Sequence, residues 1–373
     1  MRVDAVVLGG GPAGLAAASR LASRGADVVV VDASNPINDK PCGGYMPLVL
    51  VERLGLRRCG YEVSAIHLVH GGEEWLVGFG RVVGCNLERR KLIDFMLREA
   101  RGSGAEVVEG CRAAASVSRG EVRVEACGES YTARVLIAAD GAASRLGAAI
   151  RGRYTPDTLG VALQAKSHRA DVPRGANTVL LGRRYSPGGY AWAFPKHGYV
   201  DVGVGALASR APGGLLGRYM APVAERVRAR PRGPRYAPVP LAGPRRAAWG
   251  PVLLAGDSAG HVSPLTGEGV RYAVEAGWMA AEAAWGYLRG MYSVSAMGLR
   301  YRASLWRSFY PGLWLERRLM EYFISGGGSG GLLRDPGARR VVAMLYTDSG
   351  GQVSRLLRGL PAYLRFRLLG GAL

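Results

Sequence analysis

A glycine-rich segment near the N-terminus combines the residue types and the spacing that bind a dinucleotide. An apolar run at 3–8 leads into the pattern G-x-G-x-x-G, and a second apolar run ends at Asp32. Glycines without a Cβ let the backbone approach a pyrophosphate, and the N-terminus of the following helix stabilises its charge. The Asp32 carboxylate can accept hydrogen bonds from ribose hydroxyls. The other residues assigned to this site are Gly9, Gly11, Ala13 and Gly14.

A second glycine-rich segment, at 253–270, predicts that the dinucleotide is FAD. An apolar run there ends at Gly256 and Asp257, where an acid can hydrogen-bond the ribityl hydroxyls of a flavin. Gly267, Gly269 and Val270 open the next helix. The free N–H groups and positive end of that helix suit a phosphate and the electron-rich pyrimidine side of a flavin. The FAD site is therefore expected to combine residues from both ends of the chain.

Two shorter motifs contain candidates for catalysis and substrate binding. Tyr190, Trp192 and Phe194 alternate with alanines, so in a strand the three rings share one face. That face could line an apolar trough, or it could be ordinary packing in a sheet core. Cys42 precedes two further candidates, Gly43 and Gly44. These glycines favour a loop whose backbone approaches a ring, although a buried small cysteine is the ordinary alternative.

Together with Asp140-Gly141, these motifs resemble the flavoproteins built like p-hydroxybenzoate hydroxylase, and more closely the geranylgeranyl reductase family. The resemblance extends from residue 1 to about residue 290. It implies that Arg90 reaches the FAD phosphates, that the backbone near Ala113 contacts the adenosine, and that the cysteine–glycine loop lies beside the flavin. The chain departs from the family pattern at Tyr45, where a third glycine is usual.

The same resemblance implies reduction of isolated C=C bonds in the geranylgeranyl chains of membrane ether lipids or their precursors, with hydride from flavin N5. Cys42, Tyr190 and Trp192 are the catalytic candidates, and the proton could come from Cys42, Tyr190 or water. A single nucleotide motif implies an external electron donor, either ferredoxin, NAD(P)H or a deazaflavin. Two alternatives to this reductase remain open. One is an enzyme of another kind, a flavin-dependent monooxygenase, and the other is a non-catalytic, membrane-associated flavoprotein.

The order of the sequence patterns predicts an α/β fold, with a Rossmann-type FAD-binding domain, an inserted antiparallel substrate sheet and a helical C-terminal region. Apolar spacing predicts a helix within 86–107, whose buried stripe is Leu92, Ile93, Met96, Leu97 and Ala100. We expect a discontinuous FAD-binding domain that comprises residues 1–60, 85–150 and 245–300. The antiparallel-sheet substrate domain is expected to comprise 61–84 and 151–244. Residues 301–373 are expected to form the helical C-terminal region, with a loop at 325–331.

Composition argues against several other classes of protein. The net charge is +20, but the basic residues are spread along the chain without a nucleic-acid-binding module, so no nucleic-acid partner is expected. A positive surface would attract anionic lipids or an acidic electron-donor protein. Five scattered cysteines without C-x-x-C predict free thiols and no metal site.

The sequence also gives expectations about location. It has no apolar run of transmembrane length and enters a strand at once, which predicts a cytoplasmic protein, peripheral at most to the inner face of the membrane. The basic amphipathic stretch at 353–369 could lie on a membrane or pack on the catalytic domain. Scarce Asn and Gln are compatible with a thermophilic source.

Overall fold

The computed structural model describes residues 1–37, 40–56, 60–118, 120–324 and 332–347. The strands are β1 (Arg2–Leu8), β2 (Val28–Val31), β3 (Tyr45–Pro47), β4 (Tyr61–Val63), β5 (Ala65–His70), β6 (Glu73–Gly78), β7 (Gly84–Asn86), β8 (Glu106–Val108), β9 (Ala113–Ser118), β10 (Glu121–Ala126), β11 (Glu129–Ala138), β12 (Leu159–Ser167), β13 (Ala176–Leu181), β14 (Tyr190–Lys196), β15 (Tyr199–Leu207), β16 (Arg232–Pro240), β17 (Ala248–Trp249) and β18 (Val252–Leu254). The helices are α1 (Pro12–Ala22), α2 (Leu48–Arg53), α3 (Arg89–Gly102), α4 (Arg145–Arg151), α5 (Leu216–Arg226), α6 (Val270–Leu288), α7 (Val294–Ser308), α8 (Tyr310–Ile324) and α9 (Pro336–Thr347).

The chain forms two compact units. Unit 1 comprises 1–39, 90–155 and 240–314, and unit 2 comprises 40–89, 156–239 and 315–373. Residues 40–60, which the sequence analysis assigned to the FAD-binding domain, therefore cluster with unit 2. The expected loop at 325–331 and the amphipathic stretch at 353–369 lie outside the described residues.

Unit 1 is built on a sheet in the order β17-β18-β11-β1-β2-β8, with the β9–β10 hairpin attached to β11. Strands β18, β11, β1, β2 and β8 run parallel. The valine- and leucine-rich segments of β1, β2, β11 and β18 are buried, as expected when helices cover a parallel sheet. Helices α1 and α6 pack on each other. The predicted α/β fold with a Rossmann-type unit is confirmed, and so is the α3 stripe, all of whose predicted residues are buried.

Unit 2 is built on a sheet in the order β16-β12-β15-β14-β13-β5-β6, and a smaller sheet pairs β3-β7-β4. Strands β12, β15, β14 and β13 pair antiparallel, as the sequence predicted, whereas β13 and β5 are parallel. Helix α9 packs near β5 and β6. The end of β14 and the short β3–β7 sheet position the site residues of this unit.

The prediction of free thiols was wrong for three cysteines. Cys111 and Cys127 form a disulfide, and Cys85 is disulfide-bonded as well. The β9–β10 hairpin explains the first bond, since its register pairs the first residue of β9 with the last of β10. Cys111 and Cys127 flank these ends, a proximity that sequence spacing alone does not show. Cys42 is a free thiol.

The described residues include no helix that is long and apolar enough to cross a bilayer.

Candidate functional site

The predicted dinucleotide residues of unit 1 meet at the carboxyl edge of its parallel sheet. The register aligns Leu8 of β1 with Val31 of β2 and Ala138 of β11, and Ala138 with Leu254 of β18. The glycine loop, Asp32, Asp140 and Gly256-Asp257 each follow one of these strand ends. In open α/β sheets, ligands bind at this edge.

The glycine loop makes a cradle that a side chain would fill. Gly9 has a φ of +96°, and a Cβ on it would overlap the carbonyl group of Ala139. A Cβ on Gly14 would overlap the carbonyl oxygen of Gly9. Gly11 is the N-cap of α1, and Pro12 occupies its first turn. Because a glycine cap has no side chain, the N–H groups of this helix end remain suited to an anionic ligand.

Asp32 is held in one orientation at the end of β2. Its Oδ2 accepts a hydrogen bond from the Gly10 N–H at 2.6 Å, and its Oδ1 accepts one from the Ser34 N–H at 2.8 Å. Each carboxylate oxygen has a further lone-pair site. Asp32 can therefore still accept hydrogen bonds from the hydroxyls of a ribose.

The second glycine motif lies against the first within unit 1. Gly256 has a φ of +70°, and a Cβ there would lie 3.0 Å from the Cβ of Ala13. Gly269 is the N-cap of α6, and a Cβ on it would lie 3.6 Å from Oδ1 of Asp257. Val270 is the first residue of α6, and Gly267, which is exposed, lies three residues before it. The N-terminal ends of α1 and α6 thus frame one region, as FAD binding requires.

A buried histidine that the sequence analysis missed supports this second motif. His261 Nδ1 accepts the Gly256 N–H at 3.3 Å, and His261 Nε2 lies 3.1 Å from the Tyr310 hydroxyl. The Tyr310 hydroxyl donates to the carbonyl of Arg245 at 3.0 Å. Burial lowers the pKa of His261 to about 3, so the imidazole is neutral. The position of His261 inside the second glycine-rich motif was the sequence signal that could have identified it.

Arg90 and Ala113 lie on the Asp32 side of the sheet edge. Arg90 pairs with Asp94 at 2.9 Å and donates to the Ile37 carbonyl at 3.5 Å, with its side chain 42% exposed. The segment that leads to Ala113 is tied to Asp32, whose carbonyl accepts the Cys111 N–H at 2.8 Å. Ala113 itself is exposed. Both positions are compatible with the adenosine and phosphate roles that the resemblance implies.

The cysteine–glycine loop of unit 2 is held by a buried lysine that the sequence analysis did not single out. Lys196 Nζ donates to the carbonyls of Gly43 at 2.8 Å and Leu87 at 3.0 Å. It also pairs with Asp201 at 3.1 Å, and both side chains are 2% exposed. A Cβ on Gly44, whose φ is +75°, would overlap this Nζ and the Leu87 carbonyl. The loop conformation therefore depends on glycine at 44 and on the ammonium group.

Further polar groups stabilise this buried ion pair. Gln164 donates to Asp201 Oδ1 at 2.9 Å. Burial raises the pKa of Asp201, while Lys196 and Gln164 oppose this shift. Beside them, Asn86 donates to the Pro195 carbonyl at 2.8 Å and to Asn177 Oδ1 at 2.7 Å. The signal in the sequence was a lysine directly after the aromatic motif in a chain with few lysines.

The aromatic strand β14 places its three rings on one face, as predicted. Trp192 and Phe194 are buried in an apolar cluster with residues of β5, β13 and α9, and Tyr190 packs against it. The register sets Gly203 opposite Trp192 and Gly205 opposite Tyr190. A Cβ on Gly203 would overlap the Trp192 ring. The alternating glycines of β15 thus make room for the aromatic residues.

The cysteine–glycine loop lies directly on these rings. A Cβ on Gly43 would lie 3.1 Å from Cδ2 of Phe194 and 3.6 Å from Nε1 of Trp192. The Trp192 side chain is buried, and in the described part of the chain nothing accepts a hydrogen bond from its Nε1. Tyr45 turns its hydroxyl toward the carbonyls of Val83, at 3.3 Å, and Thr347, at 3.1 Å. Cys42, which precedes Gly43 in the cysteine–glycine loop, is partly exposed.

Two models of known protein families match separate segments of the chain. The geranylgeranyl reductase catalytic domain matches 159–228, and an NAD(P)-binding Rossmann-like domain matches 7–47. A digeranylgeranylglycerophospholipid reductase of Methanopyrus kandleri is 32% identical over 76% of this chain and 80% of its own length. The chain belongs to the geranylgeranyl reductase family. A menaquinone reductase of Mycobacterium tuberculosis is 35% identical to this family member over 75% of the chain and 76% of that protein.

Solved structures agree on the fold of this geranylgeranyl reductase family member. A geranylgeranyl bacteriochlorophyll reductase-like protein from Thermoplasma acidophilum superposes with a TM-score of 0.77 at 23% identity, covering 86% of this chain and 87% of that one. A flavin-dependent brominase superposes with a TM-score of 0.74 at 18% identity, over 93% and 94% of the two chains. The family confirms the predicted oxidoreductase class and the FAD cofactor, for which the cradle of unit 1 is suited.

Proposed function

We propose that this chain reduces isolated C=C bonds in the polyprenyl chains of membrane lipids or their precursors, using FAD. The observation that carries the proposal is the close approach of Gly43 to Trp192 and Phe194, which belong to an apolar cluster. Two of these three residues lie in the segment that matches the geranylgeranyl reductase catalytic domain. An isoprenoid chain is the kind of substrate that such apolar aromatic surroundings would bind.

An unactivated alkene has no carbonyl or phosphate for a protein to polarise. The protein must therefore act by holding the double bond in place and by excluding water. FAD, when bound and reduced, supplies the hydride. Gly9, Gly11, Gly14, Asp32 and Asp257 would hold it. Trp192 and Phe194 supply the dry surface, and Lys196 keeps the cysteine–glycine loop against that surface.

The addition also needs a proton, and two side chains of unit 2 are candidates. Cys42 is a partly exposed free thiol in the loop on the aromatic cluster and can hold a proton at Sγ. Tyr190 lies at the start of β14, and its ring is 5.2 Å from that of Tyr346. Water is the third candidate. Comparing Cys42→Ser with Cys42→Ala tests whether residue 42 donates the proton, since only serine keeps an exchangeable proton at this position.

The head group of the substrate differs between relatives. One relative is named for a digeranylgeranylglycerophospholipid and another for menaquinone, and both substrates carry a polyprenyl chain. We propose that the isoprenoid chain is recognised and that an external donor, ferredoxin, NAD(P)H or a deazaflavin, reduces the cofactor. A basic surface would favour an acidic donor protein and anionic membranes.

The test is anaerobic turnover with dithionite as donor and three substrates: a digeranylgeranylglycerophospholipid, geranylgeranyl diphosphate and menaquinone. After the products are reoxidised in air, which returns any menaquinol formed by dithionite to the quinone, mass spectrometry should show a gain of about 2 Da per reduced double bond, the mass of the added H2. Trp192→Phe should slow this reaction, whereas the matched variant Trp249→Phe, at a half-exposed indole, should not. Substrate hydroxylation that requires oxygen, with no anaerobic product, would instead indicate the monooxygenase.

A further inference from the structure

The outward face of α7 in unit 1 is apolar in its middle and basic along both sides. Leu299, Ala303 and Trp306 recur at the spacing of one helical face. Leu299 is 63% exposed and Trp306 is 49% exposed. The opposite side of the helix is buried through Met297, Tyr301 and Leu305. Large apolar side chains on the solvent side of a helix that already has a buried face need a reason for their exposure.

Three arginines flank this apolar stripe. Helical geometry places Arg302 on one side and Arg300 with Arg307 on the other, and all three are exposed. The 15 residues of α7 include no acidic side chain. Nearby Glu282 on α6 already pairs with Arg20 at 2.6 Å and with a second arginine at 2.7 Å, so it does not offset the charge of α7.

A groove beside the stripe extends the same character. Its lining includes Met279, Met291 and Tyr292, together with Arg300 and Arg307. Met291 is 66% exposed, and the Arg300 guanidinium lies 4.6 Å from the centre of the Tyr292 ring. Tryptophan and tyrosine are favoured at the boundary between lipid head groups and acyl chains, and arginines attract anionic head groups.

We propose that this face, formed by Met291, Leu299, Arg300, Arg302, Trp306 and Arg307, docks unit 1 on the surface of an anionic lipid bilayer. Trp306 and Leu299 enter the head-group region, while the arginines contact lipid phosphates. The charge pattern selects a bilayer over a second copy of this basic chain, because two such faces would repel each other. The inference concerns binding alone and does not depend on the proposed reduction of polyprenyl chains.

The test is vesicle flotation of the full-length FAD-loaded protein, with phosphatidylglycerol–phosphatidylcholine vesicles compared with pure phosphatidylcholine. Each arginine near an anionic surface contributes about a fivefold gain in binding. The triple variant Arg300→Gln, Arg302→Gln, Arg307→Gln should therefore bind on the order of 100-fold more weakly. Leu299→Ser with Trp306→Ser should lose binding by about tenfold or more.

Matched controls separate this face from general charge and hydrophobicity. The variant Arg98→Gln, Arg174→Gln, Arg183→Gln removes the same charge from exposed positions elsewhere, and Leu76→Ser removes a leucine that is 61% exposed on β6. Both controls should bind like the wild type. FAD absorbance and circular dichroism establish that all variants are folded.

Four outcomes would overturn the proposal. The wild type could fail to bind anionic vesicles, the α7 variants could bind as well as the wild type, or the control arginine variant could lose as much affinity. A wild type that dimerises without vesicles, with a dimer broken by Trp306→Ser, would assign the face to a second copy of the chain. Reduction of a detergent-dispersed substrate, measured in parallel, reports on the proposed function separately.

Discussion

Replacing Lys196 by methionine is the perturbation whose effect the structure of unit 2 defines best. Methionine has a similar length but lacks the ammonium group, so Asp201 becomes a buried carboxylate without its cation, at 2% exposure. Removing one partner of a buried ion pair costs about 3–5 kcal/mol. For a unit of this size we expect a fall in Tm on the order of 10 °C. Lys91→Met, at an exposed lysine of α3, should change Tm little.

The loss of stability in Lys196→Met should be larger at high pH than at low pH. Burial already raises the pKa of Asp201, and loss of Lys196 removes the charge that opposes this. An aspartate with a raised native pKa loses stability as pH rises from its unfolded value, near 3.9, through its native one. Lys196→Met should therefore be less destabilised, relative to the wild type, at pH 5 than at pH 8. Adding Asp201→Asn should restore part of the loss, because it removes the uncompensated charge.

The same variant should release the cysteine–glycine loop. The Gly43 carbonyl loses its hydrogen bond from Nζ, so alkylation of Cys42, followed by peptide mass mapping, should become faster. The assays are urea unfolding at both pH values and the alkylation rate. The reasoning would be refuted by a variant as stable as Lys91→Met, by an equal deficit at pH 5 and pH 8, or by an unchanged alkylation rate.

Three further predictions concern unit 1. Gly9→Ala should abolish FAD retention, measured as flavin absorbance per protein, because its Cβ overlaps a backbone carbonyl. The control Gly102→Ala, with open space around the new Cβ, should keep FAD. A Gly9→Ala protein that retains flavin absorbance would contradict the role of this glycine in the cradle. Reducing the Cys111–Cys127 bond, which spans 16 residues, should lower the unfolding free energy by about 3 kcal/mol, and an unchanged urea midpoint would disprove this. Because burial lowers the pKa of His261 to about 3, wild-type stability should fall below pH 6.5, by up to about 1.4 kcal/mol per pH unit from this group. Urea unfolding of His261→Asn should show a flatter profile, and an identical slope would exclude the role of burial.

Much of unit 1 could be predicted because its signals are local. The glycine motif, the helix after it and the acid after β2 occur within one short stretch. Each element there is specified by residues next to each other in sequence. The alternation of Tyr190, Trp192 and Phe194 likewise predicted a shared face, because side chains alternate along a strand. The partners that pack against this face come from β15 and α9, and the alternation within β14 gives no information about them.

The missed features depend on pairing between distant segments. Lys196 reaches Gly43 over 153 positions, and the register of β14 with β15 brings Asp201 to the same side. The disulfide depends on the register of the β9–β10 hairpin, and the His261–Tyr310 contact on the packing of α8. Composition gave only a hint, through a lysine retained in an arginine-rich chain.

The measurement that tests the central claim most directly is an anaerobic single turnover. The FAD-loaded protein is reduced with one equivalent of dithionite and mixed with a digeranylgeranylglycerophospholipid, while flavin absorbance and lipid mass are followed together. The account predicts that flavin absorbance returns without oxygen, with one double bond saturated for each FAD reoxidised. A flavin that stays reduced until oxygen is admitted, with the lipid mass unchanged, would contradict it.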